Sequence, residues 1–312
     1  MRVLFCGQTF PSSRVLLEQR LPDVECCVWS DREAAPVDEV DVLIPMMFPI
    51  GAQVMDVVRP RLIQQWGSGL EGVELDAARA RGIPVSSVPT AGDNAESVAE
   101  HALLLMLSLL RKLPEAQANV RAGVLGAPVG RMLRGRAVCL WGLGATALAL
   151  ARRLRALDAR LLGITRVPDA PKVSKFGLDA CYSTKEREAC LHETDILALC
   201  MRLCNETRGL IDGNVLAMLR AGAYLVNTSR GALVDGRALY SALSRGRLAG
   251  AGLDVFGREP VPADDPLLAL PNVIATPHVA GVTEESYRQI ADVVVANIER
   301  LQSGQPILNR AV

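Results

Sequence analysis

Short apolar runs alternate with polar stretches over the N-terminal part of the chain. The runs occupy residues 3–6, 24–29, 40–45, 62–66 and 84–88. This rhythm predicts strands that are separated by helices or loops. The fourth run leads into Gly67-Ser68-Gly69, where few side chains would obstruct a ligand that approaches the backbone N–H groups. The same sequence also fits an ordinary tight turn.

A long helical pattern follows, over residues 94–113, and it is apolar on most of its circumference. Asp93 and Glu96 stand near its start with the spacing of a capping box. Such a helix must be covered on several sides, so we expect it to cross between two lobes and to contribute to a subunit interface. Its most apolar part, residues 102–110, is about half as long as a membrane span requires.

A second alternation of strands and helices begins at residues 137–141. Further apolar strand candidates lie at 161–164, 196–200, 223–226, 251–255 and 273–275, and helical patterns fall between most of them. This order predicts a parallel sheet that is covered by helices on both faces. A final helix is predicted over residues 283–301. Because 312 residues with 50% hydrophobic content suffice for two packed cores, we expect two α/β domains.

Positive and negative side chains balance at 34 each, so the overall charge favours a small-molecule ligand over nucleic acid or a membrane. The first residues lack the long apolar core of a secretion signal. The eight cysteines form no Cys-x-x-Cys pair and several lie inside apolar runs, which is typical of reduced thiols in the cytoplasm. The three histidines have no ligand spacing, so we expect no metal site.

A glycine-rich turn joins the strand at 137–141 to a helical pattern. It has the sequence Gly142-Leu143-Gly144-Ala145-Thr146-Ala147, which matches the Gly-x-Gly-x-x-Gly/Ala arrangement of dinucleotide-binding turns. Gly142 permits the turn, Gly144 lets the backbone approach a pyrophosphate, and Ala147 keeps the helix close to the sheet. The N–H groups of Ala145 and Thr146 would then meet phosphate at the positive end of the helix.

The end of the next strand is expected to distinguish NAD from NADP. NAD-preferring sites usually present Asp or Glu there to the ribose 2′-hydroxyl, whereas this chain has Ile164-Thr165-Arg166. The missing carboxylate removes repulsion of a 2′-phosphate and Arg166 offers a bidentate donor, so we expect NADP to be favoured over NAD. Arg202 is a candidate second cation. Both arginines also fit solvated surface positions.

Three histidines are candidates for proton transfer, a task that imidazole performs near neutral pH. Reduction of a ketone by hydride leaves negative charge on oxygen, so such a site needs a proton donor and a fixed positive group. His278 lies in a loop directly after a strand, whereas His101 lies on the long apolar helix and His192 in a polar segment. We interpret His278 as the donor and the other two as structural residues.

Three motifs in the second half of the chain resemble, in sequence and order, those of the D-isomer-specific 2-hydroxyacid dehydrogenases. They are Asn227-Thr228-Ser229-Arg230-Gly231, Asp254-Val255-Phe256-Gly257-Arg258-Glu259-Pro260 and Thr276-Pro277-His278. The resemblance runs from Gly67 to Asn309 and is weak towards the N-terminus. It implies two Rossmann-like doubly wound parallel-sheet domains: a substrate domain of residues 1–95 plus 283–312, and a dinucleotide-binding domain of residues 96–282 inserted into it.

The resemblance also implies a role for each motif residue. Arg230 would bind the substrate carboxylate and polarise the carbonyl, Glu259 would orient His278 and stabilise its charged form, and His278 would transfer the proton. The N–H groups of Ser68 and Gly69 would complete the carboxylate site from the other lobe. Asp254 would face the nicotinamide amide. The full set of expected cofactor contacts is Gly142, Gly144, Ala145, Thr146, Thr165, Arg166, Thr228 and Asp254.

The function predicted from these residues is D-stereospecific hydride transfer between NAD(P)H and a small 2-keto or 2-hydroxy acid, in a homodimer, with glyoxylate and hydroxypyruvate favoured. A phosphoglycerate dehydrogenase is one alternative, although the turns at 46–49 and 64–71 offer no cation for a substrate phosphate. A dinucleotide-sensing binding protein is the other, because the same family includes corepressors. Glu71 stands where many relatives carry Asp, so the sequence leaves the substrate open.

Overall fold

Two parallel sheets organise the chain, whose structure is a computed structural model that describes residues 1–30 and 39–312. The chain divides into two units. The first comprises Met1–Asn94 and Glu284–Val312, and the second, Ala95–Thr283, is inserted into its sequence. Each unit contains one of the sheets. The predicted α/β class with two Rossmann-like domains is therefore confirmed.

The strands and helices are as follows. The strands are β1 (Arg2–Cys6), β2 (Glu25–Trp29), β3 (Val42–Ile44), β4 (Leu62–Gln64), β5 (Val85–Ser86), β6 (Ala137–Trp141), β7 (Arg160–Thr165), β8 (Ala180–Ser183), β9 (Ile196–Leu199), β10 (Ala223–Asn227), β11 (Leu248–Leu253) and β12 (Val273–Ala275). The helices are α1 (Pro11–Arg20), α2 (Ala52–Val58), α3 (Leu75–Ala80), α4 (Asp93–Leu110), α5 (Leu113–Arg121), α6 (Ala145–Ala156), α7 (Ala170–Phe176), α8 (Arg187–Glu193), α9 (Gly213–Met218), α10 (Gly236–Ser244) and α11 (Glu284–Gln302).

The sheet of the first unit has the strand order β2-β1-β3-β4-β5. Successive side chains of a strand point to opposite faces, and in β1 both faces are buried. Val3 and Phe5 pack in one core, together with Tyr287 and Ile290 of α11. Leu4 belongs to a second core on the other face. A strand that is apolar at every position therefore forms here because helices cover both sides of the sheet.

The sheet of the second unit has the strand order β12-β11-β10-β9-β6-β7-β8. The order reverses between β6 and β9, and ligands of such open sheets bind at the carboxyl ends of the strands beside this reversal. The two faces are again both buried, since Val138 and Leu140 of β6 lie in one core and Cys139 and Trp141 in the other. The fold therefore places the turn after β6 where a dinucleotide is bound in proteins of this architecture.

Three details differ from the sequence prediction. The long helix ends at Leu110, because Lys112 has a left-handed backbone (φ 50°) and α5 starts beyond it. The predicted capping box is not formed by Glu96, whose carboxylate instead pairs with Arg152 and Arg153 of α6. Strand β8 was not predicted, because its four residues at the sheet edge are only half-buried and give no apolar run.

Helix α4 packs closely on β11 because two positions of that strand are glycine. A Cβ at Gly252 would lie 2.9 Å from the Cβ of Leu105, and one at Gly250 would lie 3.1 Å from a methyl carbon of Leu109. Larger side chains at these positions would push the helix away from the sheet. The sequence of β11 thus fixes the position of α4.

The structure contains no disulfide among the cysteines, which are all described. Each of the eight cysteines is a free thiol, and burial raises the pKa of Cys6 and of Cys200 to about 12. Within residues 1–30 and 39–312, no three His, Cys, Asp or Glu side chains come together to hold a metal ion. No helix in those two ranges is both long and apolar enough to cross a membrane.

Candidate active site

His278 and Glu259 form a direct pair in the second unit. His278 Nδ1 lies 2.6 Å from Glu259 Oε2, and both side chains are mostly buried, with 26% and 16% exposed. The other carboxylate oxygen of Glu259 accepts a 2.8 Å hydrogen bond from the backbone N–H of Phe256. The carboxylate is therefore fixed by its own loop and faces Nδ1 of the imidazole.

The environment of Glu259 favours the ionised carboxylate. Burial raises the pKa of Glu259, but the hydrogen bond and charge of His278, the N–H of Phe256 and the charge of Arg230 lower it by more. The net result is a lowered pKa. Glu259 is thus held as an anion beside the ring of His278, and an anion there stabilises imidazolium.

Asp254 holds the loop that carries His278. Its side chain is 1% exposed, and its Oδ1 accepts hydrogen bonds from the Thr276 hydroxyl at 2.6 Å and the Val279 N–H at 2.8 Å. Oδ2 accepts from the Ala280 N–H at 2.8 Å. The role of Asp254 in holding this loop is not evident from the sequence. The expected contact of Asp254 with the nicotinamide amide stays a prediction.

Arg230 lies in a loop that is fixed by Asn227 at the end of β10. The Asn227 side chain donates to the Arg230 carbonyl at 2.9 Å and accepts from the Ser229 N–H at 3.0 Å. The Ser229 hydroxyl donates to the Leu199 carbonyl at 2.6 Å. Asn227 was not among the predicted site residues, although a short amide side chain at the end of a strand often forms hydrogen bonds within the following loop.

The loops of Arg230 and Glu259 touch through Gly231. A Cβ at Gly231 would lie 1.9 Å from the carbonyl carbon of Phe256, so only glycine permits this contact. The approach brings the charge of Arg230 close enough to lower the pKa of Glu259. The loops after β10, β11 and β12 therefore bring Arg230, Glu259 and His278 together at the carboxyl ends of three neighbouring strands.

The turn after β6 has the geometry that a dinucleotide pyrophosphate needs. Gly142 has φ 100°, and a Cβ there would lie 2.7 Å from the carbonyl oxygen of Cys200. Gly144 precedes α6 with extended backbone, and a Cβ there would meet no atom within 4 Å. Open space thus lies beside Gly144 at the start of α6, where the N–H groups of Ala145 and Thr146 belong to the positive end of the helix.

The residues at the expected adenosine side lie at the end of β7. Thr165 is its last residue, and Arg166 follows as an exposed side chain. The pKa of Glu206 is lowered, first by a hydrogen bond with Cys204 and also by the charge of Arg166. Arg166 therefore has an acidic neighbour that sequence analysis did not foresee. Arg202 is exposed in the segment after β9.

The expected substrate contacts Ser68 and Gly69 lie in the first unit, in the turn after β4, and are partly exposed. The side chain of Gln65 braces this turn, since its amide group donates to the carbonyls of Gly69 at 2.7 Å and Met46 at 3.0 Å. Thr228 follows β10 in the second unit. The assignments of these three residues to substrate and cofactor stay predictions.

The two other histidines have different surroundings. His192 is exposed on α8, where its Nε2 lies 3.9 Å from Glu188. His101, on α4, is largely buried, and its Nε2 lies 2.9 Å from the hydroxyl of Thr276 and 3.5 Å from Asp254 Oδ1. His101 therefore contacts residues that hold the His278 loop.

The doubly wound sheet, the glycine turn and the Arg, Glu and His loops together define the class of nicotinamide-dependent dehydrogenases. Comparison with known proteins identifies the family. The NAD binding domain of the D-isomer specific 2-hydroxyacid dehydrogenases matches residues 103–280. A glyoxylate reductase of Korarchaeum cryptofilum is 34% identical over 297 residues, which cover 90% of this chain and 87% of that protein. The chain belongs to the D-isomer-specific 2-hydroxyacid dehydrogenase family and is an NAD(P)-dependent enzyme of that family.

Two further similarities concern structure and length. The crystal structure of an NADPH-dependent glyoxylate/hydroxypyruvate reductase from Sinorhizobium meliloti, in complex with NADP and malonate, is 33% identical with a TM-score of 0.85, and the match covers 100% of this chain and 96% of that one. A D-3-phosphoglycerate dehydrogenase of Archaeoglobus fulgidus is 31% identical over 86% of this chain. The chain spans only about half of that relative, 50% of its length.

Proposed function

We propose that this protein reduces glyoxylate or a small 2-keto acid of the hydroxypyruvate type to the corresponding 2-hydroxy acid, the D isomer where the product is chiral, with NADPH as the preferred cofactor. The observation that carries the proposal is the 2.6 Å pair of His278 and Glu259, which places a proton-transfer group beside a fixed anion. The names of the glyoxylate reductase relative and of the S. meliloti reductase support this substrate class.

The proposed mechanism assigns one task to each side chain. Arg230 binds the substrate carboxylate through its planar fork and polarises the keto group. His278, which meets Glu259 at Nδ1, carries the transferable proton on Nε2 and donates it to the carbonyl oxygen as negative charge develops there. Glu259 keeps the imidazole oriented and stabilises its charged form. A bound nicotinamide dinucleotide supplies the hydride.

The proposed cofactor site follows the turn after β6 and the neighbouring strand ends. Gly142, Gly144 and the N–H groups of Ala145 and Thr146 hold the pyrophosphate. Thr165 and Arg166 meet the adenosine ribose. The last two expected cofactor contacts, Thr228 and Asp254, meet the nicotinamide.

The proposed preference for NADP rests on Arg166. Its exposed guanidinium stands where NAD-preferring sites present a carboxylate, and it offers two donors to a 2′-phosphate. Glu206 opposes this preference in part, because it brings negative charge near Arg166. We infer that the bidentate pairing of Arg166 with the phosphate outweighs that repulsion, since Glu206 is exposed and its charge is screened by water.

The proposed assembly is a homodimer in the cytoplasm. Exposed apolar side chains concentrate between residues 104 and 132 of the second unit, and such surfaces usually pack against a partner. They are Leu104, Leu107, Leu113, Val120, Val124, Leu125, Val129 and Met132. Sedimentation at micromolar protein concentration tests the proposed dimer, and a monomer under those conditions would contradict it. The eight free thiols support a reducing compartment.

The test of the proposed function is a substrate panel with both cofactors. Glyoxylate, hydroxypyruvate, pyruvate, phenylpyruvate and 3-phosphohydroxypyruvate are offered with NADPH or NADH, and oxidation of the reduced nicotinamide is followed by absorbance. We expect the highest kcat/KM for glyoxylate or hydroxypyruvate with NADPH. A preference for 3-phosphohydroxypyruvate would favour a phosphoglycerate dehydrogenase. Tight cofactor binding without reduction of any of the five would favour a dinucleotide-sensing protein.

A further inference from the structure

Two side chains of α4 hold the two ends of the loop that carries His278. Ser97 and His101 are separated by one helical turn and so share a face of the helix. The Ser97 hydroxyl donates to the Ala280 carbonyl at 2.7 Å, and His101 Nε2 lies 2.9 Å from the Thr276 hydroxyl. His278 lies midway between the two attached residues. Both α4 side chains are largely buried, with 7% of Ser97 and 13% of the His101 side chain exposed.

The hydrogen bonds around Thr276 fix the direction in which each proton is donated. An ionised carboxylate only accepts, so the single hydroxyl proton of Thr276 goes to Asp254 Oδ1, 2.6 Å away. The Thr276 oxygen must then accept the contact from His101, which therefore carries a proton on Nε2. The result is a continuous chain from His101 through Thr276 to Asp254, whose carboxylate also accepts from the amides that follow His278.

The loop needs such support because the backbone of His278 is strained. Its φ is 56°, in the left-handed region that few residues other than glycine adopt, although histidine does so more often than most, as asparagine and aspartate do. A strained conformation persists only where the surrounding contacts over-determine it. Asp254 supplies part of that restraint from the position directly after β11, and α4 supplies the rest from its packed position on β11.

We propose that Ser97 and His101 are positioning residues for His278, acting through Ala280 and through Thr276 with Asp254. This inference rests on the proposed function of His278 as the proton donor. When one of these two contacts is removed, the loop relaxes towards ordinary backbone angles. The hydrogen bond between the His278 imidazole and Glu259 is then formed for a smaller fraction of the time. Arg230 lies in a different loop and the pyrophosphate turn is separate, so kcat falls while the KM of the keto acid and the affinity for NADPH change little.

The experiment compares His101→Leu, which has no donor, with His101→Gln, whose amide keeps an N–H donor. Ser97→Ala removes the second contact, and Ser108→Ala is the matched control, a buried serine of the same helix. We expect His101→Leu and Ser97→Ala to lower kcat by about tenfold with KM within about twofold, and His101→Gln to recover most of kcat. Wild-type kcat in both donor-lacking variants would overturn the proposal. Equal loss in Ser108→Ala or in His101→Gln would also overturn it.

Two further measurements separate positioning from a general loss of stability. In a Glu259→Ala background, which removes the hydrogen-bond acceptor for His278 Nδ1, His101→Leu should have a much smaller effect than in the wild type, because the pair that it positions is already broken. Amide exchange of Val279 and Ala280 should accelerate by about tenfold in Ser97→Ala. Unchanged exchange would contradict the proposal. Amide exchange does not depend on turnover. It therefore tests whether Ser97 holds the His278 loop even if the wild type reduces no keto acid.

Discussion

Gly231 and Phe256 are in contact through their backbones, at a place where any Cβ on Gly231 would lie 1.9 Å from the Phe256 carbonyl carbon. This contact joins two loops of the site. Arg230 precedes the glycine, and Glu259 accepts a hydrogen bond from the Phe256 N–H. The distance between the loop of Arg230 and the loop of Glu259 is therefore set by the absence of a side chain at Gly231.

Replacing Gly231 by alanine should separate these loops. Overpacking of this kind typically costs about 1–3 kcal/mol of stability, and we also expect kcat/KM to fall by at least about tenfold because Arg230 moves relative to Glu259. Gly236→Ala is the matched control, because a Cβ at Gly236 would meet no atom within 4 Å. Urea unfolding and steady-state kinetics check both effects. Equal behaviour of the two variants would show that the close contact is unimportant.

Arg230→Lys should keep the charge and lose the planar fork. A lysine ammonium cannot make the two parallel hydrogen bonds that a carboxylate accepts from arginine. We expect kcat/KM for the keto acid to fall by about 100-fold, mainly through KM, with NADPH affinity unchanged. Arg245→Lys, an exposed residue after α10, serves as the control. A variant with wild-type KM would remove Arg230 from substrate binding.

The pKa of Glu259 gives the stability a defined pH dependence. Because this pKa is lower in the folded chain than its ordinary value of 4.5, the ionised carboxylate stabilises the fold above that pH. The contribution is lost as the pH falls through the lower, folded pKa. The difference in free energy of unfolding between wild type and Glu259→Gln should therefore shrink as the pH falls through the folded pKa of Glu259. Urea unfolding over a pH series measures it, and a difference that does not change with pH would refute the assignment.

Arg166→Ala should reduce the preference for NADP. Loss of the guanidinium removes the donors to a 2′-phosphate but leaves the pyrophosphate turn intact. We expect the KM for NADPH to rise by about tenfold or more while the KM for NADH stays within about twofold. Arg245→Ala provides the matched loss of an exposed cation elsewhere in the unit. If the KM values for NADPH and NADH rise together, Arg166 does not bind the 2′-phosphate.

Much of the second unit could be predicted because local sequence and physical role coincide there. The turn Gly142 to Ala147 lies between an apolar strand and a helix in the sequence, and the same order appears in the structure. The loop position of His278 was visible from the strand before it. The contact between His278 and Glu259 could be predicted only from the family resemblance, since 19 residues separate them in sequence.

The supporting residues could not be predicted for a physical reason. Ser97 and His101 lie about 180 residues from the loop that they hold, separations of 183 and 175, and nothing in a helical pattern tells which buried polar side chain meets a distant loop. Asn227 differs, because its contacts are local and an amide at a strand end is a recognisable signal. Glu206 beside Arg166 was missed because the segment after β9 has no regular periodicity.

The most direct test of the proposed function is the reduction of hydroxypyruvate by NADPH in wild type and in His278→Asn, with NADPH affinity measured separately by fluorescence. We expect turnover in the variant to fall by about 10²–10⁴ while cofactor affinity stays within about threefold, because only proton transfer is lost. A variant that reduces hydroxypyruvate at the wild-type rate would contradict the role of His278 and, with it, the function proposed for the site.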